Sequence, residues 1–248
     1  FFKDLMNHKR NNPSWESISE LFRRKIKQLQ TSAEDTPLNR YRNEIYNDCI
    51  NAAEMQPGLF SLTVPTGGGK TLSSMAFALK HLQKYSMRRI IYVIPYTSII
   101  EQNADVFRNF LGDDAILEHH SSFEPEEENV RTRLASETWD APVIVTTTVQ
   151  FYESFFSNKS SRSRKLHNIA NSVIILDEVQ NIPVDYLMPC IELLRELSHD
   201  YKCSIVLCSA THPAIQYRRD FDGLKDVREI ITSPCKLSKA LKRVDTER

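Results

Sequence analysis

The sequence has no net charge, no closely spaced cysteine pair and no long apolar run. Its 32 lysines and arginines balance 32 aspartates and glutamates, which argues against the overall basic surface typical of nucleic-acid-binding proteins but leaves room for a local basic groove. The five cysteines form no CxxC pair, so neither a zinc site nor a disulfide framework is indicated, and free thiols fit a reducing cytoplasm. No apolar run approaches the roughly 20 residues of a membrane span and no signal peptide is visible. We therefore expect a cytoplasmic protein without a membrane partner.

Glycine is also scarce, with six in 248 residues, yet three of them are consecutive in the stretch PTGGGKT at 65–71. An apolar, β-compatible run at 59–64 precedes this stretch, and apolar residues at helical spacing follow it from 72 to 82. A strand, a glycine loop and a helix in this order suit a phosphate-binding loop. Glycines let backbone N–H groups close around phosphate oxygens, and the helix start adds its positive dipole end.

In a phosphate-binding loop, Lys70 would reach the β- and γ-phosphates of ATP and the Thr71 hydroxyl would bind Mg²⁺. The full pattern G-x-x-x-x-G-K-[ST] is not met, because Val64 occupies the first glycine position. The alternative is a glycine-rich turn that only happens to precede Lys-Thr, but the flanking strand and helix favour the phosphate loop. The residues predicted to bind ATP are Thr66, Gly67, Gly68, Gly69, Lys70 and Thr71.

A second apolar run, at 173–176, ends in Asp177 and Glu178. A carboxylate at the carboxyl end of a strand can hold Mg²⁺, directly or through water, and we predict this role for Asp177. Glu178 is predicted to orient and polarise the attacking water. The alternative is an ordinary strand that ends at the surface, and the phosphate loop upstream makes that alternative weak.

Apolar segments near 60–64, 90–94, 115–118, 143–147, 173–177 and 204–209 alternate with helical patterns. This alternation predicts an α/β fold, a doubly wound and mostly parallel sheet with helices on both faces. Ligands bind at the carboxyl ends of the strands in such sheets. Ser209 and Thr211 end the last of these strands, so we expect their hydroxyls to bond the carboxylates after 176 and to couple the nucleotide state to movement of a neighbouring domain.

Three parts of the chain are distinguished by pattern. Residues 1–35 contain an amphipathic basic helix from Trp15, interpreted mainly as a core-facing stripe with a solvated face and alternatively as a surface for a partner or nucleic acid. Residues 36–233 form the main domain, and 234–248 are read as an exit linker. The basic stretch 157–165 is read as a loop that could touch nucleic acid. We expect the chain to be a segment of something longer.

Together, these motifs resemble a superfamily 2 helicase, and within it the first RecA-like domain. PTGGGKT resembles motif I, DEVQ at 177–180 motif II and SAT at 209–211 motif III. Longer stretches are similar to the helicase portion of the CRISPR-associated helicase–nuclease of type I systems, over roughly residues 38–215. They are VIPYTSIIEQN at 93–103, LEHHS at 117–121, VTTTVQFYESFF at 145–156 and ILDEVQNIP at 175–183.

The resemblance implies ATP-driven 3′-to-5′ translocation on single-stranded DNA, after recruitment by a guide-RNA surveillance complex in antiviral defence. Positions that match the family's motifs imply a DNA path along Pro95, Thr97, Thr147 and Gln150. For the hydroxyls after Pro95, helix capping alone is the better explanation from the residues themselves. The resemblance also implies that Gln180 joins Lys70, Asp177 and Glu178 in catalysis by coupling ATP to DNA.

Two parts of the family pattern are not seen in the sequence, namely the HD nuclease site and the second RecA-like domain that supplies arginine fingers. Because such a finger is worth about 10³ to 10⁵ in rate, we expect this chain alone to bind Mg-ATP weakly and hydrolyse it slowly. No convincing adenine-reading glutamine precedes the phosphate loop. The alternatives are a general RNA or DNA helicase outside CRISPR, a nucleotide-switched binding module and, least favoured, a small-molecule kinase.

Overall fold

The computed structural model describes residues 12–120, 136–156, 165–211 and 215–234. A seven-stranded sheet has the order β3-β4-β2-β5-β6-β1-β7, and each neighbouring pair of strands is parallel. The predicted α/β fold is confirmed. The strands are β1 (Leu59–Thr63), β2 (Ile90–Ile94), β3 (Ile116–His119), β4 (Val143–Thr147), β5 (Val173–Leu176), β6 (Ser204–Ser209) and β7 (Arg228–Glu229).

Helices cover both faces of this sheet, as predicted. They are α1 (Trp15–Ser32), α2 (Pro37–Ala52), α3 (Lys70–Tyr85), α4 (Ile100–Leu111), α5 (Thr148–Phe156), α6 (Leu166–Ile169) and α7 (Leu187–His199). Alternate residues of β1 to β6 enter one of two hydrophobic clusters, and Tyr92 and Val93 show the alternation in β2. The cluster with Tyr92 also takes residues from α1 to α4, and the other takes residues from α5 to α7. Burial on both faces explains why the central strands are continuously apolar.

Helix α1 packs against α3 and α4. Ser14 caps it by accepting a hydrogen bond from the Ser17 N–H, and Ile18, Phe22 and Ile26 are buried in the same cluster as the sheet. The apolar stripe therefore faces the core, while the domain boundary placed at residue 35 stays a prediction. Most of the predicted exit linker at 234–248 and most of the basic loop at 157–165 lie outside the described residues.

The segment after motif II does not form one continuous helix. A 3-10 turn, Val184–Tyr186, comes first, and α7 begins only at Leu187. Val184 is 84% exposed and Tyr186 is 66% exposed. Proline permits a helix start but does not fix the helix type, and a turn without a buried face has no packing to convert it to α-helix.

Candidate functional site

The glycine loop joins β1 to α3 and is packed too closely at Gly68 to admit a side chain. Gly67 and Gly69 both have a φ of 83°, a left-handed conformation that favours glycine. A Cβ at Gly68 would lie 2.6 Å from Val64 Cγ1 and 3.1 Å from the Pro65 carbonyl oxygen. Gly69 stands at the N-cap of α3 without a side-chain capping bond. The loop and the uncapped start of a 16-residue helix therefore fit a bound anion such as phosphate.

Lys70, at the first turn of α3, lies against the two carboxylates that follow β5. Its ammonium donates a short hydrogen bond to Glu178 Oε1 and lies 3.5 Å from Asp177 Oδ1. The side chains of Lys70 and Asp177 are each only 10% exposed. The Glu178 N–H donates to Asp177 Oδ1 over 3.0 Å, and the Tyr92 hydroxyl donates to Oδ2 over 3.4 Å. Motifs distant in sequence thus meet at the carboxyl edge of the sheet.

Burial and ion pairing act in opposite directions on these three groups. Burial alone would lower the pKa of Lys70, but Asp177 and Glu178 outweigh it and raise that pKa. Burial raises the pKa of Asp177, and Lys70 only partly opposes the rise. For Glu178 burial also acts to raise the pKa, but hydrogen bonds from Lys70 and Gln180 and the charge of Lys70 lower it overall. Lys70 therefore stays charged, with Glu178 as its close anionic partner.

The network continues from Glu178 to β6. Gln180 Nε2 donates to Glu178 Oε2 over 2.5 Å, and the Ser209 hydroxyl donates to Gln180 Oε1 over 2.9 Å. The Thr211 N–H donates to the Ser209 hydroxyl over 3.2 Å. We expected the hydroxyls after β6 to bond the carboxylates directly, and this was wrong for Ser209, because the Gln180 amide stands between Ser209 and Glu178.

Glu178 has a φ of 47°, the left-handed region that a residue with a Cβ seldom adopts. The 3-10 turn Val179–Asn181 starts from this residue and carries Gln180. The conformation turns the chain sharply after β5, which lets Glu178 face Lys70 while Gln180 reaches back toward β6. Backbone strain of this kind concentrates at functional sites.

The donor set beside Lys70 suits Mg²⁺. Thr71 supplies a hydroxyl and Asp177 two carboxylate oxygens, and Mg²⁺ prefers oxygen ligands from one or two protein groups completed by phosphate and water. Within the described ranges, no three His, Cys, Asp or Glu side chains cluster to hold a metal ion. Thr71 and Asp177 stay the predicted ligands.

The four residues predicted to bind DNA lie on the neighbouring part of the same edge. Pro95 directly follows β2, and Thr97 starts a 3-10 turn, Thr97–Ile99, where it is exposed. Thr147 ends β4, beside Ile94 in register. It is only 3% exposed, and its hydroxyl accepts a hydrogen bond from the Gln150 N–H over 3.2 Å. The four positions adjoin one another, and Thr147 also caps the start of α5.

Two residues of the site were missed by the sequence reasoning. Arg42, on α2, donates from Nε and Nη2 to the Gly67 carbonyl oxygen over 3.0 and 2.9 Å. Tyr92 places a hydroxyl beside Asp177 from the middle of an aliphatic strand. A search for any polar side chain on the helix before the phosphate strand, rather than for glutamine, would have singled out Arg42.

The sequence matches the DEAD/DEAH box helicase family over residues 43–219. This chain belongs to the DEAD/DEAH box helicase family. Family membership implies use of ATP. The glycine loop, Lys70 and the Asp177–Glu178 pair stay the predicted ATP site of this helicase domain. The predicted superfamily 2 resemblance is confirmed.

Two curated relatives show which group of helicases this domain is similar to. It is 30% identical over 196 residues to the CRISPR-associated nuclease/helicase Cas3 of Haloferax volcanii, covering 69% of this chain and 21% of that protein. It is 25% identical over 210 residues to the CRISPR-associated endonuclease/helicase Cas3 of Escherichia coli K12, covering 74% of this chain and 23% of that protein. The chain thus spans about a fifth of the length of these relatives.

Solved helicase structures share the fold. A hypothetical ATP-dependent RNA helicase from Sulfolobus tokodaii aligns over 86% of this chain and 56% of its own, with a TM-score of 0.53 and 16% identity. The DUF1998 helicase MrfA aligns over 80% of this chain and 29% of its own, with a TM-score of 0.51 and 13% identity. These likenesses support the RecA-like fold alone. None of the helices in the described part of the chain has the length and apolar character of a membrane span.

Proposed function

We propose that this helicase domain is the ATP-binding half of an ATP-dependent single-stranded DNA translocase acting in CRISPR type I interference. One observation carries the proposal: Lys70, Glu178, Gln180 and Ser209 form one connected network at the ends of three strands. Such a network gives the phosphate-binding and water-orienting groups a physical link toward a neighbouring domain. The similarity to Cas3 proteins supports the CRISPR setting.

In this proposal each side chain has a separate task. The N–H groups of the glycine loop and the Lys70 ammonium bind the β- and γ-phosphates, so Lys70 leaves Glu178 when ATP enters. Thr71 and Asp177 hold Mg²⁺, which supplies charge neutralisation at the phosphates when bound. The freed Glu178 carboxylate accepts a hydrogen bond from the attacking water and orients it. Gln180 and Ser209 transmit this change in the hydrogen bonds of Glu178 to the second RecA-like domain.

A cavity of about 490 Å³ lies beside the loop, between α1, α2, α3 and α4, and is the proposed site for adenine. Arg42, Asn43, Tyr46 and Gln30 line one side of it, and Gly69 and Thr71 line the side toward the phosphates. The cavity offers apolar surface for the base together with amide and guanidinium groups for its edges. Its position next to α3 would let base and phosphates bind together.

Single-stranded DNA would cross the ends of β2 and β4, along Pro95, Thr97, Thr147 and Gln150. Hydroxyl and amide groups at such positions contact phosphates without reading sequence. The remaining proposed partners are a guide-RNA surveillance complex, as the resemblance of the motifs implies, and a second RecA-like domain that completes the ATP cleft. We place the protein in the cytoplasm with that complex.

The test is Mg-ATP hydrolysis with single-stranded DNA, with single-stranded RNA and with neither. This chain is compared with a longer polypeptide that includes a second RecA-like domain. We expect slow hydrolysis by the chain and strong stimulation of the longer polypeptide by DNA alone, lost in Lys70→Ala. Equal stimulation by RNA would favour the general helicase, and rates independent of nucleic acid would favour the nucleotide-switched module. Fast hydrolysis by the chain alone would contradict the half-site interpretation.

A further inference from the structure

Tyr92 is fully buried in the centre of the sheet, yet its hydroxyl reaches the functional edge. Its partners in register on β4 and β5 are Val145 and Ile175, and its ring packs against Phe107 with centroids 4.8 Å apart. Aliphatic or aromatic packing would be satisfied equally well by phenylalanine. The hydroxyl needs a separate explanation, because a buried tyrosine O–H requires a hydrogen-bond partner.

The hydroxyl lies beside the groups assigned to Mg²⁺. It donates to Asp177 Oδ2 over 3.4 Å, and the Thr71 and Ser74 side chains are close enough to oppose in part the rise in the pKa of Tyr92 that burial causes. Ser74 in turn donates to the Thr71 carbonyl oxygen over 3.0 Å. Tyr92 thus lies beneath both Thr71 on α3 and Asp177 after β5, two residues that no backbone hydrogen bond joins directly.

The contact also fixes how the carboxylate faces the cleft. Asp177 Oδ2 is occupied by Tyr92, while Oδ1 accepts from the Glu178 N–H and lies 3.5 Å from the Lys70 ammonium. The Asp177 N–H donates to the Val93 carbonyl oxygen over 2.8 Å, which ties the start of the turn to the strand that carries Tyr92. Rotation of the carboxylate would break at least one of these bonds.

We propose that Tyr92 is a positioning residue that sets the spacing and orientation of Thr71 and Asp177 for Mg²⁺. The inference rests on the proposed ATP function of the same edge. Outer partners of metal ligands commonly change metal affinity by about 10- to 100-fold when removed. Tyr92→Phe keeps the ring and its packing and removes only the hydroxyl.

The experiment titrates a fluorescent ATP analogue and Mg²⁺ against the full chain. Analogue affinity is measured in EDTA, and the half-saturating Mg²⁺ concentration is then measured at a fixed analogue concentration. For Tyr92→Phe we expect unchanged affinity in EDTA and a half-saturating Mg²⁺ concentration raised about tenfold. Tyr152→Phe is the matched control, because it removes a buried tyrosine hydroxyl from the opposite cluster, and it should change neither value.

The outcomes separate this proposal from the function on which it rests. An unchanged Mg²⁺ requirement in Tyr92→Phe would overturn the positioning role while leaving ATP binding intact. The positioning role would also be overturned if the unchanged chain bound the analogue with an affinity that does not depend on Mg²⁺. Failure of the unchanged chain to bind the analogue at all would overturn the proposed function and this inference together. If Tyr92→Phe fails to fold, Ser74→Ala removes the neighbour on α3 and is read by the same two titrations, with an expected shift in the same direction.

Discussion

Two adjoining parts of one sheet edge use their polar side chains differently. At the ends of β1, β5 and β6, which we call the nucleotide edge, Lys70, Glu178, Gln180 and Ser209 bond one another. At the ends of β2 and β4, the DNA edge, Thr97 is exposed and Gln150 Nε2 makes only a 3.5 Å contact with Glu153. In the proposed function the nucleotide edge exchanges partners when a ligand binds, whereas Thr97 and Gln150 at the DNA edge present polar groups without such an exchange.

The largest effect expected at the nucleotide edge comes from Lys70→Ala. It removes the ammonium that binds phosphate, so ATP hydrolysis in the DNA-stimulated longer polypeptide should fall about 100-fold or more. Lys80→Ala is the matched control on the same helix, since Lys80 pairs with Glu54 outside the site. Retention of more than a tenth of the rate in Lys70→Ala would contradict the phosphate role.

This residue also shows what sequence could predict. Lys70, Thr71 and Asp177 were predicted from local motifs, because the first two end the glycine loop after one strand pattern and Asp177 directly follows another. Arg42 was not found, because it acts on a backbone carbonyl from a neighbouring helix and belongs to no motif. Tyr92 was read as core, since a single hydroxyl hardly alters the pattern of a buried strand. The Ser209–Gln180 contact depends on the left-handed backbone conformation of Glu178. The residue types in this segment do not predict that conformation.

Substitutions at the DNA edge should weaken DNA binding and spare nucleotide binding. We expect Thr97→Ala combined with Gln150→Ala to lower the affinity for labelled oligo-dT about tenfold, because each loses a hydrogen bond to a charged phosphate. Fluorescence anisotropy measures the affinity for oligo-dT. The control is Thr31→Ala, at an exposed position of α1. Equal affinity for oligo-dT in all three proteins would remove the DNA edge from the proposal.

Thr147 sharpens the comparison, because it lies on the DNA edge but already has a partner. Thr147→Val removes the hydroxyl that caps α5 and should destabilise the fold by about 1 kcal/mol, which lowers Tm by about 2–4 °C for a domain of this size. Thr147→Ser keeps the hydroxyl and should restore most of the loss. If Thr147→Val lowers oligo-dT affinity at unchanged Tm, Thr147 binds DNA and does not act mainly as a cap.

Releasing Lys70 from its carboxylate partner should make nucleotide binding easier. In Glu178→Gln the ion pair is lost, so we expect the affinity for a fluorescent ATP analogue in EDTA to rise about two- to fivefold, the range of a weak ion pair. Hydrolysis by the longer polypeptide should fall because the water-orienting carboxylate is gone. If Glu178→Gln binds the ATP analogue more weakly than the unchanged chain does, Glu178 promotes phosphate binding by Lys70 and does not compete with phosphate for the Lys70 ammonium.

The smallest expected effect is the pH dependence of the stability that the ionised Glu178 side chain gives to the fold. The folded pKa of Glu178 is lowered, so its ionised form stabilises the fold above its unfolded pKa of about 4.3, and this contribution is lost as the pH falls through the lower folded pKa. The Tm difference between the unchanged chain and Glu178→Gln, on the order of 2–4 °C, should shrink as the pH falls from about 6 toward 3. A difference that stays constant over this range would contradict the lowered pKa.

The strand order has a consequence for how the protein is made. Lys70 follows β1 and Asp177 follows β5, but β6 lies between these strands in the sheet. A nascent chain that has emerged only through β5 carries both motifs without the strand that sets their separation. Because domains generally fold as units during synthesis, we expect the proposed ATP pocket to form only after Ser209 has left the ribosome. Nucleotide binding can then mark a completed domain, and it cannot guide the first steps of its assembly.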